Sequence, residues 1–264
     1  MKLTDFIPSA TRKILVYGAP KTGKTDLVGQ LAASKKLWWF DLEDGVKTLL
    51  HSPRMTPAML ANIELFRIPD TQIFPIAART LLKVIKGLPV AICHTHGAVA
   101  CPLCANGKGA SSTISLRDFT TNDVLVIDSV SQLAASAMND IQKDVISKDQ
   151  FDKKPDWDDY ANQGRIMDRI FSILQQAPFH VVAISHEQLV EMEDGKKKIV
   201  PIGGTSQFSK TFAKYFDDVV YTEVLNKKHK VGSSTDYSSN IIAGSRSNKV
   251  LEKMETPSLL ELFK

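Results

Sequence analysis

The segment KILVYGAPKTGKT, residues 13–25, joins an apolar run of strand length to a glycine-rich turn and the start of a helix. Its last eight residues, GAPKTGKT, satisfy the pattern G-x-x-x-x-G-K-[ST]. The helix that follows has one apolar face, formed by Leu27, Val28, Leu31 and Ala32. Because a strand and a helix flank the turn in the required order, we predict a phosphate-binding loop here.

Each residue type in this turn has a physical task. Its glycines allow successive backbone N–H groups to face phosphate oxygens, and the helix N-terminus adds partial positive charge. We expect Lys24 to neutralise the β- and γ-phosphates and the Thr25 hydroxyl to bind Mg²⁺. The predicted ligand is therefore ATP with Mg²⁺, and the candidate binding residues are Gly18, Ala19, Pro20, Lys21, Thr22, Gly23, Lys24 and Thr25.

Outside this turn, apolar runs of strand length alternate with helical patterns. Near-continuous apolar strands joined by helices are typical of a parallel sheet that is covered on both faces. The sequence therefore predicts an α/β fold with a mostly parallel central sheet flanked by helices. The remaining strand-like runs are 37–43, 63–68, 124–128, 179–185 and 218–224.

Polar residues close three of these apolar runs. Asp128 ends VLVID and is expected to support Mg²⁺, although an aspartate at this place is also a common helix N-cap. Glu43 ends LWWFDLE and is the candidate base that activates water, with Asp41 and Asp44 as competitors. His186 follows HVVAIS and is either a contact of the γ-phosphate or a histidine at the edge of the core.

The three cysteines of the chain lie within CHTHGAVACPLC, residues 93–104. Cys93, His96, Cys101 and Cys104 form two pairs with two-residue spacing, which is a zinc-binding pattern, and His94 is the rival fourth ligand. Four protein ligands leave no open position, so we predict a structural zinc ion in an insertion that spans residues 89–120. We expect this insertion at the end of the sheet opposite the ATP crevice, because the helix before it runs antiparallel to the strands.

Composition limits the class of protein. The chain has 264 residues, of which 43% are hydrophobic and 23% charged, so a disordered or fibrous protein is excluded. We predict one domain, residues 1–264, that contains the insertion. The net charge of +4 permits a polyanionic partner. The absence of a membrane-length apolar run or an export signal predicts a soluble protein with no membrane partner, located in the cytoplasm, which is the host cytoplasm if a phage encodes it.

The motifs GAPKTGKT, WFDLEDG, VLVIDSV and VVAISHE, in this order, resemble those of RecA-type ATPases. With the pair Gly203–Gly204, they are similar to small phage RecA-like P-loop ATPases linked to single-strand annealing and recombination, over roughly residues 13–250. The resemblance implies a RecA-like fold and Mg²⁺-dependent ATP hydrolysis on single-stranded DNA. It also implies the roles of Lys24 and Thr25 on phosphate and Mg²⁺, Asp128 on Mg²⁺, Glu43 on water and His186 as γ-phosphate sensor.

RecA-like proteins hold single-stranded DNA on two loops, which correspond to residues 147–158 and 188–203. The first segment contains Lys153, Lys154 and two aromatic residues that could stack on bases, but also four aspartates. The second places three lysines after an Asp-Gly turn. The candidate DNA contacts are Lys153, Lys154, Phe151, Trp157, Lys196, Lys197 and Lys198.

The resemblance further implies a homo-oligomer in which a cation from the adjacent subunit completes the site, and Arg246 and Lys249 are candidates. Two other functions stay open. The protein could be a nucleotide-gated adaptor or loader whose zinc loop binds a single-strand binding, replication or repair protein. A nucleotide or small-molecule kinase is less favoured, because the sequence contains no arginine-rich lid.

Overall fold

The computed structural model describes residues 11–104, 109–146, 148, 153–246, 250–254 and 257–263. The strands are β1 (Lys13–Gly18), β2 (Lys36–Asp41), β3 (Ile63–Arg67), β4 (Val90–Cys93), β5 (Ser111–Ile114), β6 (Asp123–Asp128), β7 (His180–Glu191), β8 (Lys197–Pro201), β9 (Asp218–Leu225), β10 (Lys228–Gly232) and β11 (Gly244–Ser245).

The α-helices are α1 (Lys24–Gly29), α2 (Lys47–His51), α3 (Pro57–Ala61), α4 (Ala77–Val84), α5 (Val130–Ile141), α6 (Lys143–Ile146), α7 (Trp157–Gln175) and α8 (Ser206–Thr211). Short 3₁₀ turns lie at Gln30–Ala33, Leu116–Asp118, Phe212–Tyr215, Leu251–Lys253 and Leu259–Phe263. Within these described residues, every helix is too short or too polar to cross a lipid bilayer.

The main sheet has the strand order β10–β9–β1–β7–β6–β2–β3. The six strands from β9 to β3 are parallel, whereas β10 and β11 pair antiparallel with β9, and β8 pairs antiparallel with β7. The predicted fold class, a mostly parallel sheet flanked by helices, is confirmed. All carboxyl ends of the parallel strands meet at one edge of the sheet, which is where ligands bind in folds of this type.

An apolar core lies on each of the two faces of the sheet. Helices α4, α5 and α7 pack on one face through residues such as Leu81, Leu133 and Phe171. Helix α1, helix α2 and the last 3₁₀ turn pack on the other face, with Leu27 and Leu262 among the buried side chains. Strand β1 lies between the two cores and is buried at all six positions, which explains why residues 14–17 are all apolar.

Strand β7 is longer than the sequence predicts. The apolar run ends at Ser185, but the strand continues to Glu191, and its last five residues pair with β8. The chain reverses at the Asp194–Gly195 turn, where Gly195 has a φ of +76° that suits glycine. The segment 188–203 is therefore largely an antiparallel hairpin that extends from the carboxyl edge of the sheet.

The expected position of the cysteine-containing insertion is wrong. Its strands β4 and β5 form a separate two-stranded sheet, and Gly97 packs against Arg67 and Ile68, at the carboxyl end of β3. After α4 the chain turns and returns beside β3, so that Ile92–His94 and Glu64–Arg67 line one cavity of about 310 Å³. The insertion thus lies at the outer edge of the sheet on the same end as the phosphate-binding loop.

Candidate functional site

The phosphate-binding loop connects the carboxyl end of β1 to α1. Gly23 forms the N-cap of α1 with a φ of +89°, a left-handed conformation that favours glycine. The Lys24 side chain is 6% exposed, and its Nζ donates hydrogen bonds to the carbonyl oxygens of Gly18 at 3.0 Å and Ala19 at 2.7 Å. Burial lowers the pKa of Lys24. The ammonium group is therefore held inside the turn, where phosphate oxygens can accept its hydrogen bonds in place of the two carbonyl oxygens.

Thr25 and Asp128 meet beside this loop. The Thr25 hydroxyl donates to Asp128 Oδ2 at 3.1 Å, although the two residues are 103 positions apart. Gly45 leaves the space above the pair open, because a Cβ there would lie 3.3 Å from Asp128 Oδ2 and 3.7 Å from Thr25 Oγ1. A hydroxyl and a carboxylate that face an open space are suitable ligands for Mg²⁺, so both predicted residues fit this ion.

Asp41 adds a second buried carboxylate. It lies directly across from Asp128 in the pairing of β2 with β6, and its Oδ1 accepts a hydrogen bond from the Gly45 amide at 2.9 Å. Burial and the nearby charge of Asp41 raise the pKa of Asp128 to about 7. Asp128 and Thr25 would hold a divalent cation here, and its charge would offset this repulsion and favour the ionised form of Asp128.

Glu43 lies between Ser129 and His186. The Ser129 hydroxyl donates to Glu43 Oε1, and the His186 Nε2–H donates to Oε2 at 3.1 Å. Burial acts to raise the pKa of Glu43, but the hydrogen bonds from His186 and Ser129 lower it overall. The carboxylate is therefore ionised and oriented at neutral pH, as a group that aligns water must be.

The two competitors of Glu43 have other partners. Asp41 is 1% exposed and holds the turn at Gly45. Asp44 forms ion pairs with Lys47 and with Arg67, the latter at 3.0 Å. Of the three carboxylates, only Glu43 lines the same cavity as Lys24 and Asp128. The structure thus brings the predicted loop, metal ligands and base together around one cavity of about 580 Å³.

Two residues that contact the phosphate-binding loop, Thr222 and His229, could not be recognised from the sequence. Gly18, at the end of β1, pairs on one side with His186 of β7 and on the other with Thr222 of β9. The hydroxyl groups of Thr222 and Thr22 lie 2.7 Å apart, and His229 of β10 also lines the cavity. Thr222 and His229 come close to the loop only because β9 is the neighbour of β1, and strand order cannot be derived from hydrophobic patterns.

The four predicted zinc ligands form a compact cluster. One ligand atom from each of Cys93, His96, Cys101 and Cys104 lies within 4.8 Å of all the others. The sulfur atoms of Cys93 and Cys104 are 3.1 Å apart, and His96 Nδ1 is 3.4 to 3.8 Å from the three sulfurs. A tetrahedral zinc site with bonds of about 2.3 Å has edges of about 3.8 Å, so the cluster could hold zinc after small adjustments.

The chemistry of the donor set also suits a metal ion. Burial acts to raise the pKa of Cys93, but the hydrogen bonds that it accepts from Cys104 and from the His96 amide lower it to about 6. A thiolate is the form of cysteine that binds zinc. His94 lies outside the cluster, since its Nε2 contacts the Ser112 hydroxyl at 2.9 Å. The structure therefore favours His96 over His94.

The candidate DNA contacts lie in two places. Lys153 and Lys154 are exposed, and Trp157, the first residue of α7, is 90% exposed. Lys196 pairs with Asp194 at the turn of the hairpin, and the other two lysines of that run belong to β8. Phe151 lies outside the described residues.

Of the two candidates for a cation supplied to a neighbouring subunit, the structure describes Arg246 but not Lys249. Arg246 forms an ion pair with Asp217 at 3.2 Å, at the end of the sheet opposite the phosphate-binding loop. Its side chain is therefore far from the carboxyl edge of its own sheet. Lys249 lies outside the described residues.

The parallel sheet, the loop around Lys24 and the carboxylate of Asp128 define a P-loop NTPase. A family profile described as an AAA domain matches residues 10–247, and the chain belongs to this family. A comparison with curated protein sequences finds no significant match. Membership of the family supports ATP binding and ATPase activity in general.

Proposed function

We propose that the protein is a Mg²⁺-dependent ATPase that acts on single-stranded DNA in recombination, annealing or repair. One observation carries the proposal. Strand β7 bears His186, which contacts Glu43 in the nucleotide cavity, and then continues without interruption into the lysine-containing hairpin. A strand of the nucleotide site therefore leads directly into the hairpin whose other strand, β8, carries candidate DNA contacts.

The hydrolytic step follows from the geometry of the cavity. Lys24 neutralises the β- and γ-phosphates, while Thr25 and Asp128 would hold Mg²⁺, which supplies further charge neutralisation when bound. Glu43 orients a water molecule and accepts its proton as the water oxygen attacks the γ-phosphorus. The bond from phosphorus to the β-γ bridging oxygen breaks, ADP leaves, and Glu43 returns the proton to phosphate.

His186 links this step to the hairpin. Its Nε2–H donates to Glu43, and its carbonyl oxygen accepts a hydrogen bond from the Ile202 amide, just beyond the end of β8, at 2.8 Å. The adjacent Ser185 hydroxyl donates to the Ile202 carbonyl at 2.7 Å. Loss of the γ-phosphate changes the charge that faces Glu43 and His186, and both connections lead from there to the base of the hairpin.

The candidate DNA surface combines cations with an aromatic side chain. Lys197 and Lys198 extend along β8, and Lys198 lines a shallow cavity with Lys210 of α8. Trp157 provides an exposed ring of the kind that stacks on bases. Lysines contribute an affinity that depends on salt, whereas the ring contributes one that does not, so the two can be measured separately.

The test is the steady-state rate of phosphate release with and without an oligothymidylate. We expect single-stranded DNA to stimulate the rate several-fold. The variant Lys24→Ala should release almost no phosphate, with or without DNA. The double variant Lys197→Glu, Lys198→Glu should weaken DNA binding about 10-fold and reduce the salt dependence. Lys86→Glu, which changes an exposed lysine after α4, is the matched control.

Each alternative function gives a different result in this assay. An adaptor hydrolyses ATP slowly with or without DNA and is recovered with a protein partner through the insertion. A kinase transfers phosphate to an acceptor and releases little inorganic phosphate. Binding of DNA that is unchanged in the double lysine variant would exclude the hairpin as the DNA surface. Cross-linking and sedimentation with ATP and DNA test the proposed homo-oligomer.

A further inference from the structure

We infer that His229 is a positioning residue for the phosphate-binding loop, and that it acts by orienting the peptide bond between Thr22 and Gly23. This inference uses only the nucleotide-binding part of the proposed function. It does not depend on DNA.

The first observation is a contact between β10 and the loop. The His229 Nδ1 lies 3.0 Å from the carbonyl oxygen of Thr22. Because a carbonyl oxygen can only accept, Nδ1 carries the proton and donates it. The same nitrogen lies 3.2 Å from the point where a Cβ of Gly23 would be, so the imidazole lies directly against this turn.

The second observation is the firm attachment of the neighbouring strand to the same loop. A Cβ on Gly18 would lie 2.1 Å from the carbonyl oxygen of Thr222, so the backbones of β1 and β9 are in close contact there. Thr222 also bonds Thr22 through their hydroxyl groups at 2.7 Å. Strand β10 pairs with β9 from Lys228 to Gly232, which fixes the position of His229 relative to the loop.

The consequence follows from the planarity of the peptide bond. In a trans peptide the C=O and the N–H point to opposite sides of the chain. Because His229 holds the Thr22 carbonyl toward β10, the Gly23 N–H is directed away from β10. This N–H belongs to the turn that receives phosphate, where backbone donors must be oriented before the ligand arrives. We therefore expect His229 to raise the affinity for phosphate without touching the reacting atoms.

The test compares His229→Leu, which removes the donor, with His229→Asn, which places an N–H donor near the position of Nδ1. Dissociation constants are measured for Mg-ADP and for tripolyphosphate by competition with a fluorescent nucleotide, in the absence of DNA. We expect the leucine variant to bind both probes about 5- to 10-fold more weakly, with a kcat within about 2-fold of the wild type. The asparagine variant should recover most of the affinity.

Lys230→Ala is the matched control, because alternate residues of a strand point to opposite faces and Lys230 does not line the cavity. Thermal unfolding verifies that each variant is folded, and His229→Ala replaces the leucine variant if the latter is not. Unchanged affinity in the donor-free variant would overturn the inference. The inference is also overturned if the leucine variant binds Mg-ADP more weakly but tripolyphosphate normally, because that result indicates a contact with the base or sugar. A third contrary result is an asparagine variant whose affinity is as low as that of the leucine variant.

Discussion

The nucleotide cavity and the Cys/His cluster are both polar sites near the carboxyl edge of the sheet, but they are assembled differently. In the cavity, Thr25 meets a partner 103 positions away, and Glu43 meets one 143 positions away. In the cluster, the most distant ligands are 11 positions apart. A site built from adjacent residues needs only the correct local spacing, whereas the cavity exists only when the sheet has its complete strand order.

The largest effect is expected in the cavity. Glu43→Gln keeps an acceptor for the His186 N–H but cannot take a proton, so kcat for ATP hydrolysis should fall by about 10²- to 10⁴-fold. The affinity for Mg-ADP should stay within about 2-fold of the wild type. The measurements are steady-state phosphate release and nucleotide titration.

Asp44→Asn is the control, since Asp44 is adjacent in sequence but pairs with Lys47 and Arg67. If kcat falls equally in Glu43→Gln and Asp44→Asn, the cause is the loss of one negative charge near the cavity. The Glu43 carboxylate that contacts His186 would then have no specific catalytic role. A normal rate in Glu43→Gln would remove Glu43 as the base.

A smaller, local effect is expected in the cluster. Cys101→Ser should reduce bound zinc to less than about half an equivalent after dialysis against a chelator. The midpoint of thermal unfolding should fall by about 4–8 °C, which corresponds to about 2 kcal/mol for a chain of this size. Mg-ADP affinity should be nearly unchanged, because none of the four ligands lines the nucleotide cavity.

His94→Ala is the matched variant, because this residue contacts Ser112 outside the cluster. It should retain zinc as the wild type does. If it loses as much zinc as His96→Ala, the fourth ligand is assigned wrongly. A strong loss of ADP binding in the Cys101 variant would show that the two sites are not separate.

The last prediction concerns stability alone, at the contact between the cluster-containing insertion and the end of β3. Gly97 has a φ of +65°, and a Cβ there would lie 2.6 Å from the Ile68 Cα. Gly195 has a similar φ of +76° but nothing within 4 Å of its Cβ position. Gly97→Ala should therefore lower the free energy of unfolding by about 2 kcal/mol more than Gly195→Ala.

Urea denaturation of both variants gives this difference directly. Because both substitutions carry the same left-handed backbone penalty, the excess for Gly97 measures the packing of the insertion on the end of β3. Equal values for the two variants would show that the insertion can move away from β3 at little cost.

The sequence was sufficient where a short pattern determines the structure. GAPKTGKT predicts the loop because its residues are consecutive, and the cysteine spacing predicts the cluster for the same reason. The sequence could place Asp128 and Glu43 near one another as candidates, because the carboxyl ends of parallel strands meet at one edge, and both residues line the same cavity. The strand bounds agree closely for β1, whose residues 14–17 form a continuous buried apolar run.

The remaining features depend on which strands are neighbours. The sequence does not place β9 beside β1, so it could not reveal Thr222 or His229. It also could not show that the chain returns beside β3 after α4, which is why the insertion was expected at the wrong end. The extension of β7 beyond Ser185 arises from pairing with β8, whose partner is chosen by the turn at Gly195 and not by apolar periodicity.

The position of β1 has a consequence for the order of events during translation. Its two hydrogen-bonded neighbours, β7 and β9, begin at His180 and Asp218. The ribosome therefore releases all four cluster ligands before either neighbour has been synthesised. The cluster can therefore be offered to a metal ion early in synthesis, whereas the pocket for ATP closes only once the strands within residues 180–232 have emerged.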